Sequence, residues 1–230
     1  LARHRAHHAL AAGVGRAGTA LPGAGAAAPG RTSARTGQPH AAVVANTIPE
    51  HPLPPQAEEP ALAFSGNLEF PPNVTAIEWF AREVWPAIVE EFPALRWRLI
   101  GKNAAHIEPL TAHLPNLQIA GAVGDAVKEL ARCQIAIVPL QNGSGTRLKI
   151  IEAWAAGIPV LSTSIGAEGL EAKSGEHLVI ADTPEAFTSA LRQLLVNKDL
   201  RHRIGLAGRG FYEERYTWNA AWQQLAAAGL

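Results

Sequence analysis

The chain has 230 residues, 47% of them apolar, with 20 Lys and Arg against 20 Asp and Glu and a single cysteine, Cys133. That length and apolar content suffice for one large domain or two small ones, while one cysteine excludes an internal disulfide or a cysteine-based zinc site. The charge balance hides a segregation: residues 1–40 hold five Arg and no Asp or Glu, leaving 15 basic against 20 acidic side chains in residues 41–230, an acidic body that argues against broad nucleic-acid binding.

In chain order, residues 1–40 bring His4, His7 and His8 and then Gly, Ala and Pro in quick succession. With no acidic partner and no rigid element to hold the histidines, this stretch reads as a flexible arm rather than a metal site. It has no continuous apolar core followed by a cleavage signal, and no run in the chain reaches the roughly 18 apolar residues of a membrane span, so the expected location is the cytoplasm. Residues 41–46 suit a short strand or a linker edge, and Pro49, Pro52, Pro54 and Pro55 block regular structure until about residue 61. The first aromatic is Phe64. The expected division is therefore an N-terminal segment and linker at 1–60 and a domain at 61–230.

From there elements alternate. Residues 61–65 read as a strand, Asn73 as a helix cap, and 74–91 as an amphipathic helix with Ile77, Phe80, Val84 and Ile88 buried and Pro86 as a bend. Strands follow at 95–100 and 117–120 with a short helix at 104–112 between them. Asp125 caps a helix running to Arg132, and 135–139 is apolar enough for a strand buried on both faces. A helix over 146–156 stopped by Gly157, strands at 159–162 and 177–180, and helices at 184–195, 200–216 and 218–228 complete the series. Five or six strands separated by helices predict an α/β fold, a Rossmann-like parallel sheet with helices on both faces and right-handed crossovers.

The densest chemistry lies between Pro139 and Gly157. Gly143 and Gly145 allow a tight turn after a buried strand, and the amides near Ser144, Thr146 and Arg147 open a helix that suits an anion, with Thr146 as cap or ligand and Arg147 as a bidentate phosphate contact. The same residues also fit a plain capped turn with two solvent-facing cations. Lys149 and Glu152, three apart, share a helix face, whereas Leu148, Ile151 and Ala155 are expected to face the sheet. They read either as a surface ion pair or as an ammonium for a diphosphate and a carboxylate for ribose hydroxyls. The order is neither a Walker loop nor a three-glycine dinucleotide fingerprint. His106 and His177, isolated in sequence, read as structural or peripheral, and Cys133 as a buried, reduced thiol.

Together with Phe64-Ser-Gly66, Pro72-Asn73, Leu99-Ile-Gly101, Gly121-Ala-Val123, Pro159 to Thr163, Gly166 to Leu170 and Tyr216-Thr-Trp218, this cluster resembles the donor-binding, C-terminal half of GT-B-fold glycosyltransferases of group 1, family 4, over nearly 190 residues. The resemblance implies retaining transfer of a sugar from a nucleoside diphosphate sugar, with no metal or other cofactor, to an unknown sugar, lipid or other acceptor. It places the donor phosphates at Gly143 to Arg147 and Lys149, the ribose at Glu152, and the base or sugar near Val123 and Glu168. Val123 is equally expected as core, and Glu168 as a residue that orients the loop or as a helix-terminal carboxylate. The family's first motif glutamate is replaced by Ser144, and the turn after the first strand has Gly66-Asn67 where many relatives carry Arg and Lys. It further implies an N-terminal domain absent from residues 1–60, peripheral attachment of the complete enzyme to the inner membrane as an option, and Trp218 and Trp222 on a helix crossing toward that domain. A noncatalytic nucleotide-binding or protein-interaction module is the alternative.

Overall fold

The computed structural model describes residues 45–143 and 145–227. The expected arm with His4, His7 and His8, residues 41–44 of the expected strand or linker edge, Ser144 and the last residue of the expected terminal helix lie outside these. Six parallel strands form one sheet: β1 (Glu59–Ser65), β2 (Arg96–Ile100), β3 (Leu117–Gly121), β4 (Cys133–Val138), β5 (Val160–Ser162) and β6 (Val179–Ile180), in the order β3-β2-β1-β4-β5-β6. The order reverses between β1 and β4, where Leu62 lies opposite Ile135 and Ala63 opposite Ala136. Both strands carry a continuous apolar run because helices cover both faces of the sheet; Ala61 to Phe64 and Ile135 to Val138 are all at most 2% exposed.

Nine helices connect and cover the described strands: α1 (Pro71–Glu83), α2 (Trp85–Glu91), α3 (Glu108–Thr111), α4 (Ala126–Leu130), α5 (Leu148–Ala155), α6 (Ser164–Ala167), α7 (Pro184–Val196), α8 (Lys198–Arg215) and α9 (Trp218–Ala227), with a 3-10 turn at Ala104–His106. The helix expected over 74–91 is two. Proline at 86 has no amide to donate back into the preceding turn, and the backbone leaves helical geometry at Val84 (φ −120°). Asn73 is not the cap: α1 begins at Pro71 and Pro72, whose missing amides cost nothing in a first turn, and the buried Asn73 side chain donates to Asn67 O at 2.7 Å. Asp125 does cap α4, accepting from Lys128 N at 3.1 Å. The α6 turn, unforeseen in the sequence, is capped by Thr163, which accepts from Gly166 N at 3.0 Å. Other boundaries shift by one to three residues.

Two aromatic clusters flank the sheet. Phe80 packs edge-on to Trp97 at 4.7 Å and touches Trp85 and Phe187. Trp154 packs against Phe211 and Tyr216, while its Nε1 donates to His177 O at 2.8 Å. The His177 ring stacks on Phe211 at 4.1 Å, which gives it the structural place expected. Close approach of α8 to the end of α5 depends on two glycines: a Cβ on Gly205 would lie 2.4 Å from Gly157 O, and one on Gly208 2.3 Å from Trp154 Cδ1. Residues 48–58 are not a free linker, because Tyr212 donates to Pro49 O (2.8 Å) and accepts from His51 N (3.1 Å), and Arg209 Nη2 donates to His51 O (2.6 Å). Among the described residues no helix is long and apolar enough to cross a membrane.

Candidate functional site

In an open doubly wound sheet, ligands bind outside the carboxyl ends of the strands where the strand order reverses. Here that point lies between the ends of β1 and β4, and the turns leaving those strands meet there. Gly143, at φ +113°, brings the β4–α5 loop so close to the start of α1 that a Cβ would sit 3.1 Å from Pro72 Cβ. The β1–α1 turn is braced from inside by Asn73 on Asn67 O, and by Asn103 Nδ2 on Asn67 Oδ1 at 2.9 Å. Local sequence rules make Asn73 a cap; the paired prolines before it are the signal that it falls inside the first turn instead.

Lys149 rises from the first turn of α5 into this crevice. Its Nζ lies 5.3 Å from the centre of the Phe64 ring, and a Cβ on Gly66 would come within 2.9 Å of it. The turn after β1 holds no lysine, so α5 supplies an ammonium at the end of that strand. Burial pulls the Lys149 pKa down from 10.5 to about 8, partly offset by Glu152 and reinforced by Arg147. Glu152, one turn on, has its carboxyl pushed up by burial, with Lys149 opposing. Desolvation dominates at both groups, so the solvated surface ion pair does not describe them.

The loop residues divide. Gly145 and Thr146 are exposed, and Thr146 does not cap the helix: the N-cap position is Arg147 and no side chain caps α5. The reason is register, since α5 begins at Leu148, two residues later than expected. Leu148 accordingly points outward (38% exposed), while Ile151 and Ala155 are buried as expected, together with Ile150, Ala153 and Trp154. Arg147 is 7% exposed. Its Nε donates to Glu168 O at 3.1 Å, and its Nη2 to the Glu168 carboxylate at 3.0 Å and to Gly143 O at 3.5 Å. Glu168, which follows α6, thus reaches back to the α5 opening with a side chain otherwise exposed.

Val123, after β3, is partly buried against the core. Thr163 Oγ1 donates to Leu140 O at 2.6 Å and so ties the end of β5 to the loop leaving β4; a Thr three residues before Gly166 was the legible cap signal for it. Among the described residues no group of three His, Cys, Asp or Glu is placed to hold a metal ion. A separate pocket of about 100 Å³ opens at the amino end of the sheet beside Leu53, Cys133, Pro159 and His202, well below the ~300 Å³ that a small-molecule site ordinarily needs. The crevice at the carboxyl ends, where the strand order reverses, is the candidate site on topology.

Known proteins show what the chain is similar to. The family described as Glycosyl transferases group 1 matches residues 59–197. An uncharacterized 44.6 kDa protein in the cps region of Klebsiella pneumoniae is 28% identical over 162 residues, 66% of this chain and 42% of that protein. A phosphatidyl-myo-inositol mannosyltransferase of Mycobacterium leprae is 29% identical over 148 residues, 61% of this chain and 39% of that one. The chain thus spans about two fifths of the length of these curated relatives. Among solved structures, S. aureus TarM in complex with fondaparinux, α-GlcNAc-glycerol and UDP superimposes with a TM-score of 0.63 at 18% identity, covering 80% of this chain and 38% of that one.

Proposed function

From the premise that the chain belongs to the group 1 glycosyl transferases, we propose that it supplies the donor half of an enzyme that transfers a glycosyl group, with retention, from a nucleoside diphosphate sugar to an acceptor hydroxyl. The observation that carries this reading is the Lys149 ammonium held beside Gly66 where the strand order reverses. When the bond from the anomeric carbon to the diphosphate breaks, both electrons remain on the phosphate oxygen. An ammonium and oriented amides in a partly desolvated crevice stabilise that charge.

In this reading Lys149, Gly143, Gly145 and Thr146 face the diphosphate, with Arg147 behind them, and Ser144 belongs to the same loop by sequence. Glu152 accepts from the ribose hydroxyls, and Val123 and Glu168 border the base or sugar. No metal is required, since the cationic groups take its place. Glu152 positions and does not act as nucleophile or general acid. The acceptor and the second wall of the cleft come from another domain, which accords with the two-fifths coverage of the relatives.

Because TarM was solved with UDP, UDP-sugars are tested first, followed by GDP- and ADP-sugars. Calorimetry should show saturable binding to at least one, and Glu152→Ala should weaken it about tenfold, the worth of a charge-assisted hydrogen bond. Absence of binding across the panel removes the reading. The replacement of the first motif carboxylate by Ser144 favours a second reading, a nucleotide-binding module without transfer. Product formation with a supplied acceptor and the partner domain separates the two.

A further inference from the structure

The loop that opens α5 carries two cations, and they are placed differently. Lys149 projects into the crevice beside Gly66 and Phe64. Arg147 is almost wholly buried and its guanidinium donates to three protein acceptors, the Glu168 carbonyl, the Glu168 carboxylate and Gly143 O. A bidentate phosphate contact needs two neighbouring guanidinium N–H groups in one plane, and Nε and Nη2, which form one such edge, are both engaged by Glu168.

Building on the donor-site reading, we propose that Arg147 and Glu168 form a latch that positions the phosphate loop, and that Arg147 acts through this latch rather than as a phosphate ligand. The bonds join three pieces of chain. Gly143 belongs to the loop leaving β4, Arg147 is the N-cap of α5, and Glu168 ends α6 after β5. The loop has two glycines at positive φ, Gly143 and Gly145, and no side chain caps α5, so its own sequence does little to hold it. The guanidinium fork supplies the constraint that a capping side chain would otherwise give, and Thr163, bonded to Leu140 O and Gly166 N, fixes the same two turns on their inner side. Specificity for arginine follows from the geometry: a lysine brings one point charge and cannot span a carbonyl and a carboxylate along one edge.

The latch and a direct phosphate contact differ in how binding responds to Arg147→Lys and to salt. If Arg147 only positions, Glu168→Ala and Arg147→Ala weaken UDP binding by similar factors of about three to ten, the double variant is no weaker than the worse single one, and Arg147→Lys does not restore affinity. The dependence of log Kd on log salt keeps its wild-type slope in Arg147→Ala and flattens in Lys149→Ala. If Arg147 binds phosphate directly, Arg147→Lys retains most of the affinity and Arg147→Ala flattens the salt slope; that pattern overturns the proposal. A readout without ligand separates this from the donor reading. Hydrogen exchange at the amides of residues 143–149 should rise equally in Arg147→Ala and Glu168→Ala, with the exchange of β4 unchanged. Unaltered loop exchange in either variant overturns the latch, whereas a wild-type chain that binds no UDP but shows this exchange pattern overturns only the donor reading.

Discussion

Lys149 carries its charge at a cost that the fold sustains elsewhere. Its folded pKa of about 8 lies below the ordinary 10.5 because burial penalises the ammonium, so the unfolded chain binds more protons between those values and stability rises with pH across that window. Lys149→Met should therefore stabilise the chain at pH 7 by up to about 3 kcal/mol, a gain seen in urea unfolding that shrinks as pH rises from about 8 to 10.5. Ligand binding runs the other way. UDP meets a protonated Lys149 below about pH 8 and a neutral one above it, so titrations from pH 6 to 10 should show Kd weakening on the alkaline side, and the Lys149→Met chain should show no such limb. Gly66→Ala should disturb the same group, since the added methyl would lie 2.9 Å from Nζ and 2.8 Å from Asn73 Nδ2 at a backbone φ of +148°; loss of both stability and UDP affinity is expected. At this scale the sequence named Lys149 and Glu152 correctly as a pair on one face, but not their burial. That depends on Gly66 and Phe64, more than 80 positions away in the chain and adjacent only once β1 and β4 pair.

At the level of elements, periodicity is a good guide along α1 and α2 and a poor one where backbone chemistry sets the ends. Ile77, Phe80, Val84 and Ile88 are all fully buried as their spacing predicts, yet the helix that bears them is broken by the amide that Pro86 lacks. The opening of α5 was placed two residues early because a Thr after glycine looks like a cap, whereas the Arg147 fork, invisible to local rules, fixes the start. The segment 48–58 is the clearest miss: its prolines mark irregular backbone, and nothing local reveals that Tyr212 and Arg209 on α8 will seize its carbonyls. Tyr212→Phe removes both the donor to Pro49 O and the acceptor for His51 N and should cost about 1–3 kcal/mol, with faster hydrogen exchange at His51. Trp154→Ala should cost more, about 3–5 kcal/mol, because it opens a cavity under Gly208 and leaves His177 O without its indole donor; denaturant unfolding measures both.

For the molecule as a whole, alternating strands and helices in the sequence led to the observed parallel sheet, while the strand order, and with it the position of the crevice, came only from pairing across the sheet. Trp218 and Trp222 remain 49% and 63% exposed on α9, so Trp222→Ser should change stability by less than about 0.5 kcal/mol. Cys133 has a different use. It opens β4, the strand beside the reversal, lies 1% exposed, and its thiol is pushed up to about 11 by burial. A thiol reagent at neutral pH therefore modifies it only when the amino end of β4 parts from its neighbours, which makes the chain's sole cysteine a built-in clock for opening at the seam between β1 and β4. Labelling rates in mild denaturant would read the free energy of that opening, and a ligand seated at the carboxyl ends of the same two strands should slow the clock without approaching the sulfur.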